Sequence, residues 1–151
     1  MVKIDMRNAF NLVRRDHFLG VIASRVPDLH PFLHQAYSRP SPLFFKDTEL
    51  RSSTGVQQGD PAGPAAFALA VDEIARMVAS PLNVWYLDDA TIGGPVESVV
   101  SDLTRIISRL EAIGLSLITG KCEVLTSRLG TPDLTPSCQM SNRSAPIRHI
   151  S

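Results

Sequence analysis

Cysteine is scarce in this sequence. Cys122 and Cys138 are the two present among 151 residues, and no C-x-x-C occurs. A disulfide framework or a zinc site needs more thiols at closer spacing, so neither is expected. Long apolar runs are also missing. The longest charge-free apolar stretch, Pro61 to Val71, falls far short of the ~20 residues that span a bilayer, so no membrane partner is expected. An excess of either charge is absent too, because 15 Lys+Arg meet 15 Asp+Glu for a net charge of +0. A small basic module draws its nucleic-acid affinity from surplus Lys and Arg, so composition by itself argues against one. What is present, 44% apolar and 20% charged residues, lies near globular averages and excludes wholesale disorder. The expectation is one soluble domain from a reducing, intracellular compartment, with nucleus and cytoplasm left open.

Along the chain, Val2-Lys3-Ile4-Asp5-Met6 alternates apolar and charged residues, the pattern of a half-buried strand with Lys3 and Asp5 on one face. Asn8 is placed to cap a helix carrying Ala9, Phe10, Val13 and His17 on one stripe, with Arg14, Arg15 and Asp16 outside. Prolines at 27, 31, 40 and 42 make the next stretch mostly connection, with room for a short helix. Leu43–Lys46 and Glu49–Ser53 read as a hairpin around Asp47-Thr48, and Phe44-Phe45 as core rather than a base-stacking platform. A Gly-rich turn over 55–63 leads into a helix with Phe67, Ala70, Val71, Ile74 and Val78 on its apolar face. Asn83–Leu87 and Ala90–Ile92 form strands around an Asp88-Asp89 turn. Val96, Val99, Val100, Leu103, Ile106, Ile107, Leu110 and Ile113 define a long helix ended by Gly114. Short strands over 115–118 and 122–125 flank Gly120-Lys121. From Thr126 no apolar periodicity survives, so residues 127–151 read as a disordered tail. The fold class expected is α+β, an antiparallel sheet with helices packed on one face.

Chemistry could sit in three places. Asp5 ends one strand and Asp88-Asp89 lies between two others, so neighbouring strands would bring the three carboxylates to one edge. Clustered carboxylates repel and recruit a hard divalent cation, for which Mg²⁺ is the natural choice. Adjacent strand residues point to opposite faces, so Asp88 and Asp89 could share a site only from a tight turn. Ordinary loop chemistry for the pair and a solvated strand face for Asp5 are the alternatives. The segment Gly55-Val56-Gln57-Gln58-Gly59-Asp60-Pro61-Ala62-Gly63-Pro64 could let backbone approach a ligand while a glutamine bonds a base or sugar, or could be a plain loop before a helix. Lys121 could serve as general acid or hold a pyrophosphate, or could be a surface charge. His17, His30, His34 and His149 show no ligand spacing.

The order of these segments is more informative than any one of them. Lys3-Ile4-Asp5-Met6-Arg7-Asn8-Ala9-Phe10-Asn11, then the Gly55 to Pro64 segment, then Trp85-Tyr86-Leu87-Asp88-Asp89, then Gly114-Leu115 with Lys121-Cys122, together resemble the reverse transcriptase domain. The similarity is to the non-LTR retrotransposon type, with the Tyr-x-Asp-Asp box intact as Tyr86-Leu87-Asp88-Asp89, and it covers about residues 1–126, the palm. The resemblance implies a ferredoxin-like polymerase palm that joins a deoxynucleotide to a primer 3′-OH on an RNA or DNA template.

It further implies that Asp5, Asp88 and Asp89 hold two Mg²⁺ ions, Mn²⁺ being an alternative, with Asp5 and Asp88 as the main ligands. Met6, Arg7, Asn8 and Ala9 would line the triphosphate, and Phe10 would collide with a ribose 2′-OH. Gln58 and Gly59 would meet the incoming nucleotide and template. Gly63 and Pro64 would open the supporting helix, and Tyr86 would pack near the primer end. Lys121 would protonate the departing pyrophosphate, although Ile118 stands where the family usually has Asn. Fingers and thumb are expected to be missing from these 151 residues, which leaves the isolated chain expected to be inactive. A catalytically silent, retroelement-derived palm is the other reading within this resemblance. A palm-like nucleotidyl cyclase shares the sheet and metal logic but not Gln58-Gly59 followed by Tyr86-Leu87-Asp88-Asp89.

Overall fold

The structure, a computed structural model, describes residues 1–126. The expected tail over 127–151, with Cys138 in it, lies outside the described residues. In chain order the elements are β1 (Val2–Asp5), α1 (Ala9–Leu12), α2 (Arg15–Arg25), α3 (His30–Tyr37), β2 (Ser41–Phe45), β3 (Thr48–Ser52), α4 (Gly63–Arg76), β4 (Leu82–Tyr86), β5 (Asp89–Gly93), α5 (Val96–Ala112) and β6 (Glu123–Val124).

Alternation in β1 puts Val2 and Ile4 in the core and leaves Lys3 exposed. β5 does the same with Ala90 and Ile92, and its register against β1 pairs Ile4 with Ala90 and Val2 with Ile92. One apolar sheet face results, and α4 and α5 cover it. The stripe Phe67, Ala70, Val71 and Ile74 of α4 and the stripe Val99, Leu103, Ile106 and Leu110 of α5 join Val2, Ile4 and Ile92 in a single core. Burial of each large apolar side chain there contributes about 1.5–3 kcal/mol. The other sheet face carries Lys3, Val84 and Tyr86 into solvent.

The sheet order is β4-β5-β1-β6, antiparallel throughout. Numbered by its own strands this is 2-3-1-4, the split βαβ arrangement of ferredoxin-like folds. The expected α+β class and helices on one face are therefore what the chain adopts. No helix among the described residues is long and apolar enough to cross a membrane.

Several local expectations differ from the structure. The helix after Asn8 is two helices, because Val13 is extended (φ −53°, ψ 133°) and its carbonyl accepts the Gly55 N–H at 2.8 Å. The neighbouring Arg14 N–H donates to the Ile113 carbonyl at 2.9 Å, so tertiary bonds claim backbone that a continuous helix would have used. Asn8 makes no side-chain cap; it lies in the left-handed region (φ 42°), which Asn tolerates better than most residues. Arg15, expected outside, is buried.

Phe44 and Phe45, expected in the core, are 77% and 63% exposed. They belong to the separate two-stranded β2–β3 hairpin, which adds no strand to the main sheet. The strand expected over 115–118 reduces to one bridge, Leu117 with Met6, and β6 pairs with β1 rather than with it.

Candidate active site

Asp5 and Asp89 are direct cross-strand partners in the β1–β5 register, and Tyr86 is the partner of Asp89 across β4–β5. Partners in register share a face, so Tyr86, Asp89 and Asp5 form one row on the sheet side away from the helices. The Met6 N–H donates to the Asp88 carbonyl at 3.2 Å. That bond flanks a non-hydrogen-bonded pair at Asp5 and Asp89, the type of pair whose side chains stand closer. Asp88 occupies the two-residue Leu87-Asp88 turn, and Leu87 takes φ 54° to make it. The tight turn expected at this box is present, but Asp89 is already the first residue of β5.

Segments around β1 fix the row. The Ile118 N–H donates to the Asp5 carbonyl at 2.9 Å and the Arg7 N–H to the Ser116 carbonyl at 2.8 Å. Lys121 Nζ stands 3.9 Å from Asp5 Oδ2, so the turn after Ile118 brings a cation to the row. Among the described residues no three carboxylate, imidazole or thiol groups stand together as a metal cage. The donors that do face one another, Asp5 and Asp89 with Asp88 in the adjoining turn, are all hard oxygen ligands, which suits Mg²⁺.

The residues expected to meet a nucleotide split into buried and open ones. Met6 and Ala9 are buried, which leaves only backbone to reach a ligand, and the Met6 N–H is already given to Asp88, while Arg7 and Asn8 are exposed. Phe10 is half-buried, its ring stacked on Phe67 with centroids 4.7 Å apart and planes at 18°. The Phe10 carbonyl accepts the Val56 N–H at 2.7 Å, which ties the 55–63 loop to the segment that follows Asp5. A Cβ on Gly55 would lie 2.4 Å from Asn11 C, and φ is +71°, so the docking requires glycine. Gln58 and Gly59 form the exposed tip, and Gly59 has φ 91°. Gly63 is buried at the start of α4 with Pro64 as its second residue, where a missing N–H costs nothing. Tyr86 is 76% exposed.

The family model described as Reverse transcriptase (RNA-dependent DNA polymerase) matches residues 1–145. The chain belongs to the reverse transcriptase family. No curated protein sequence matches it. The family match and the sheet order together make the domain a polymerase palm-like fold.

This reverse transcriptase domain also uses residues that the sequence did not single out. Arg15 donates from Nε to the Gly55 carbonyl and from Nη1 to the Ser52 carbonyl, both at 2.9 Å, and from Nη2 to Ser52 Oγ at 2.9 Å. Burial lowers its pKa, partly offset by Tyr37. Tyr37 donates its hydroxyl hydrogen to Asp60 Oδ2 and accepts the Gln57 N–H at 3.1 Å. Burial and the Asp60 bond push the Tyr37 phenol up, so it remains a donor at neutral pH.

Asp102, inside the apolar face of α5, accepts the Ser80 N–H at 2.8 Å, the Ser80 hydroxyl at 2.6 Å and the Ala79 N–H at 3.2 Å. Burial pushes the Asp102 carboxyl up, but bonds from Ser80, Ala79 and Arg105 outweigh it and hold it low. A charged residue amid a helix's apolar stripe was the available signal for Asp102. Arg15 and Tyr37 carried none, since their partners lie 20 to 40 residues away.

Proposed function

We propose that the domain is the palm of an RNA-directed DNA polymerase of non-LTR retrotransposon type, adding deoxynucleotides to a primer 3′-OH on an RNA or DNA template. The observation that carries this reading is the facing Asp5–Asp89 pair beside the Asp88 turn. Two carboxylates directly opposite in a sheet repel each other and weaken it, so the arrangement serves something other than the fold. Family membership supports reading that purpose as nucleotidyl transfer.

Asp5, Asp88 and Asp89 would hold the metal. A pair of Mg²⁺ ions, or Mn²⁺, would supply there positive charge to lower the primer hydroxyl pKa and to offset charge building on the α-phosphate. Asn8 and Ala9 would offer backbone N–H groups to the triphosphate and Arg7 its guanidinium, the Met6 and Arg7 N–H groups being held by the Asp88 and Ser116 carbonyls. Gln58 would offer an amide to the base or sugar. Phe10, its ring braced by Phe67, stands against a ribose 2′-OH. The primer hydroxyl would release its proton to water as its oxygen bonds to the α-phosphorus, the bond to the bridging oxygen would break, and pyrophosphate would leave with a proton that Lys121 can supply. Tyr86 offers its ring to the primer end. Fingers and thumb from elsewhere in a longer protein would complete the grip on nucleic acid, in an intracellular setting.

A second reading, a folded but catalytically silent palm, is favoured by the balanced charge of 15 against 15, which leaves little cationic surplus for phosphate. Primer extension on an RNA template with Mg²⁺ separates the two when the domain is joined to fingers and thumb segments, with an Asp88→Ala, Asp89→Ala double variant beside the joined parent. The polymerase reading expects incorporation that the double variant abolishes. Incorporation that survives the double variant removes these carboxylates from the chemistry, and none from the parent supports the silent palm.

A further inference from the structure

The 55–63 loop carries Gln58 and Gly59 at its tip, and among the described residues Gln58 and Gly59 make no bond that would place them. Its flanks are tied down. At the near end, Gly55 N–H and Val56 N–H donate to the carbonyls of Val13 and Phe10, and the Gly55 carbonyl accepts from buried Arg15. At the far end, Asp60 Oδ1 accepts the Ala62 N–H at 2.8 Å and so turns the chain into α4. One side chain joins the two ends. The Tyr37 ring lies 5.3 Å below the Arg15 guanidinium and edge-on to Phe18 at 5.4 Å. Its hydroxyl spends its one hydrogen on Asp60 and takes the Gln57 N–H, on the two sides of Gln58-Gly59. The oxygen is thus fully used, with one bond on each side of the tip.

We propose that Tyr37, clamped between Arg15 and Asp60, is a positioning residue that sets the Gln58-Gly59 tip for the incoming nucleotide. This rests on the polymerase reading for what the tip meets, but not for how the tip is held. Tyr37 touches no substrate; it acts through the Gln57 N–H and the Asp60 carboxylate. Gly59, at φ 91° with nothing within 4 Å of a built Cβ, is the joint that would otherwise let the tip swing. α3 thereby takes part in nucleotide selection from behind the loop, at a distance in sequence from every motif of the resemblance.

The test is Tyr37→Phe in the full chain, which keeps the ring against Arg15 and Phe18 and removes only the hydroxyl. Amide hydrogen exchange is expected to speed up about tenfold at Gln57 and Asp60, the bonded amides of the tip, the size of losing a bond to a charged acceptor, with Ile4 and Ala90 unchanged. Exchange that is unaltered at the tip, or faster everywhere, overturns the proposal. In primer extension with the same variant, KM for the deoxynucleotide should rise about tenfold while kcat holds. A fall in kcat with KM unmoved overturns the nucleotide-positioning role. If neither parent nor variant extends a primer even when joined to fingers and thumb segments, the polymerase reading is what fails, and the exchange data alone decide whether Tyr37 sets the tip.

Discussion

Asp5 and Asp89 are held opposite each other by a register that also buries Ile4 and Ala90, so neither carboxylate can move away without breaking the core. Their repulsion is a local cost that the rest of the sheet absorbs. Asp89→Asn should therefore raise the stability of the domain by about 0.5 kcal/mol in urea unfolding, the scale of a like-charge cross-strand pair. The same change should remove nucleotide incorporation, a trade of function for stability. A less stable Asp89→Asn domain would mean that the two groups do not feel each other. Lys121, 3.9 Å from Asp5, eases the repulsion on one side only, and at 64% side-chain exposure water screens most of its effect.

Among the elements, α5 does two jobs. Its apolar stripe closes the core, and Asp102 within that stripe caps the turn at Ala79-Ser80 that launches β4 toward the Tyr86 row. Because the folded-state carboxyl is held below its ordinary pKa, its stabilising bonds are fully present above that ordinary value and are lost as pH falls below about 4. Asp102→Asn should cost about 1–3 kcal/mol at pH 7 and flatten the loss of stability on acidification. Urea midpoints measured from pH 7 down to about 3 check both expectations.

The long elements α4 and α5 were legible in the sequence because one stripe of apolar side chains dictates a buried helix face. The break at Val13 and the burial of Arg15 were not, because both follow from bonds to Gly55 that exist only after the chain has closed on itself. At the site, the Tyr-x-Asp-Asp box and Asp5 could be read in order, while the brace behind Gln58 could not. Tyr37 carries no local mark of its partner at Asp60. Phe44 and Phe45 misled for the opposite reason: hydrophobicity says that a residue prefers cover, not that its own domain supplies it.

For the whole molecule, the balance of 15 cationic and 15 acidic side chains bears on how it meets nucleic acid. Counterion release scales with the phosphates neutralised, and a chain without cationic surplus should neutralise few. Anisotropy titrations of a primer–template at several salt concentrations should give a log–log slope shallower than about −3. A slope near −6 or steeper would mean that the cations, though balanced in number, are gathered on one face.

The sheet order has a consequence in time. β1 is synthesised before both strands that flank it: β5, which begins at Asp89, and β6, which ends at Val124. Until those arrive, the strand bearing Asp5 has no neighbour, and its Val2 and Ile4 remain wet. Pairing across such separations is the slow part of folding. A nascent chain halted before residue 89 would hold Asp5 in an unformed sheet, so the carboxylate edge and the fold are completed in the same event.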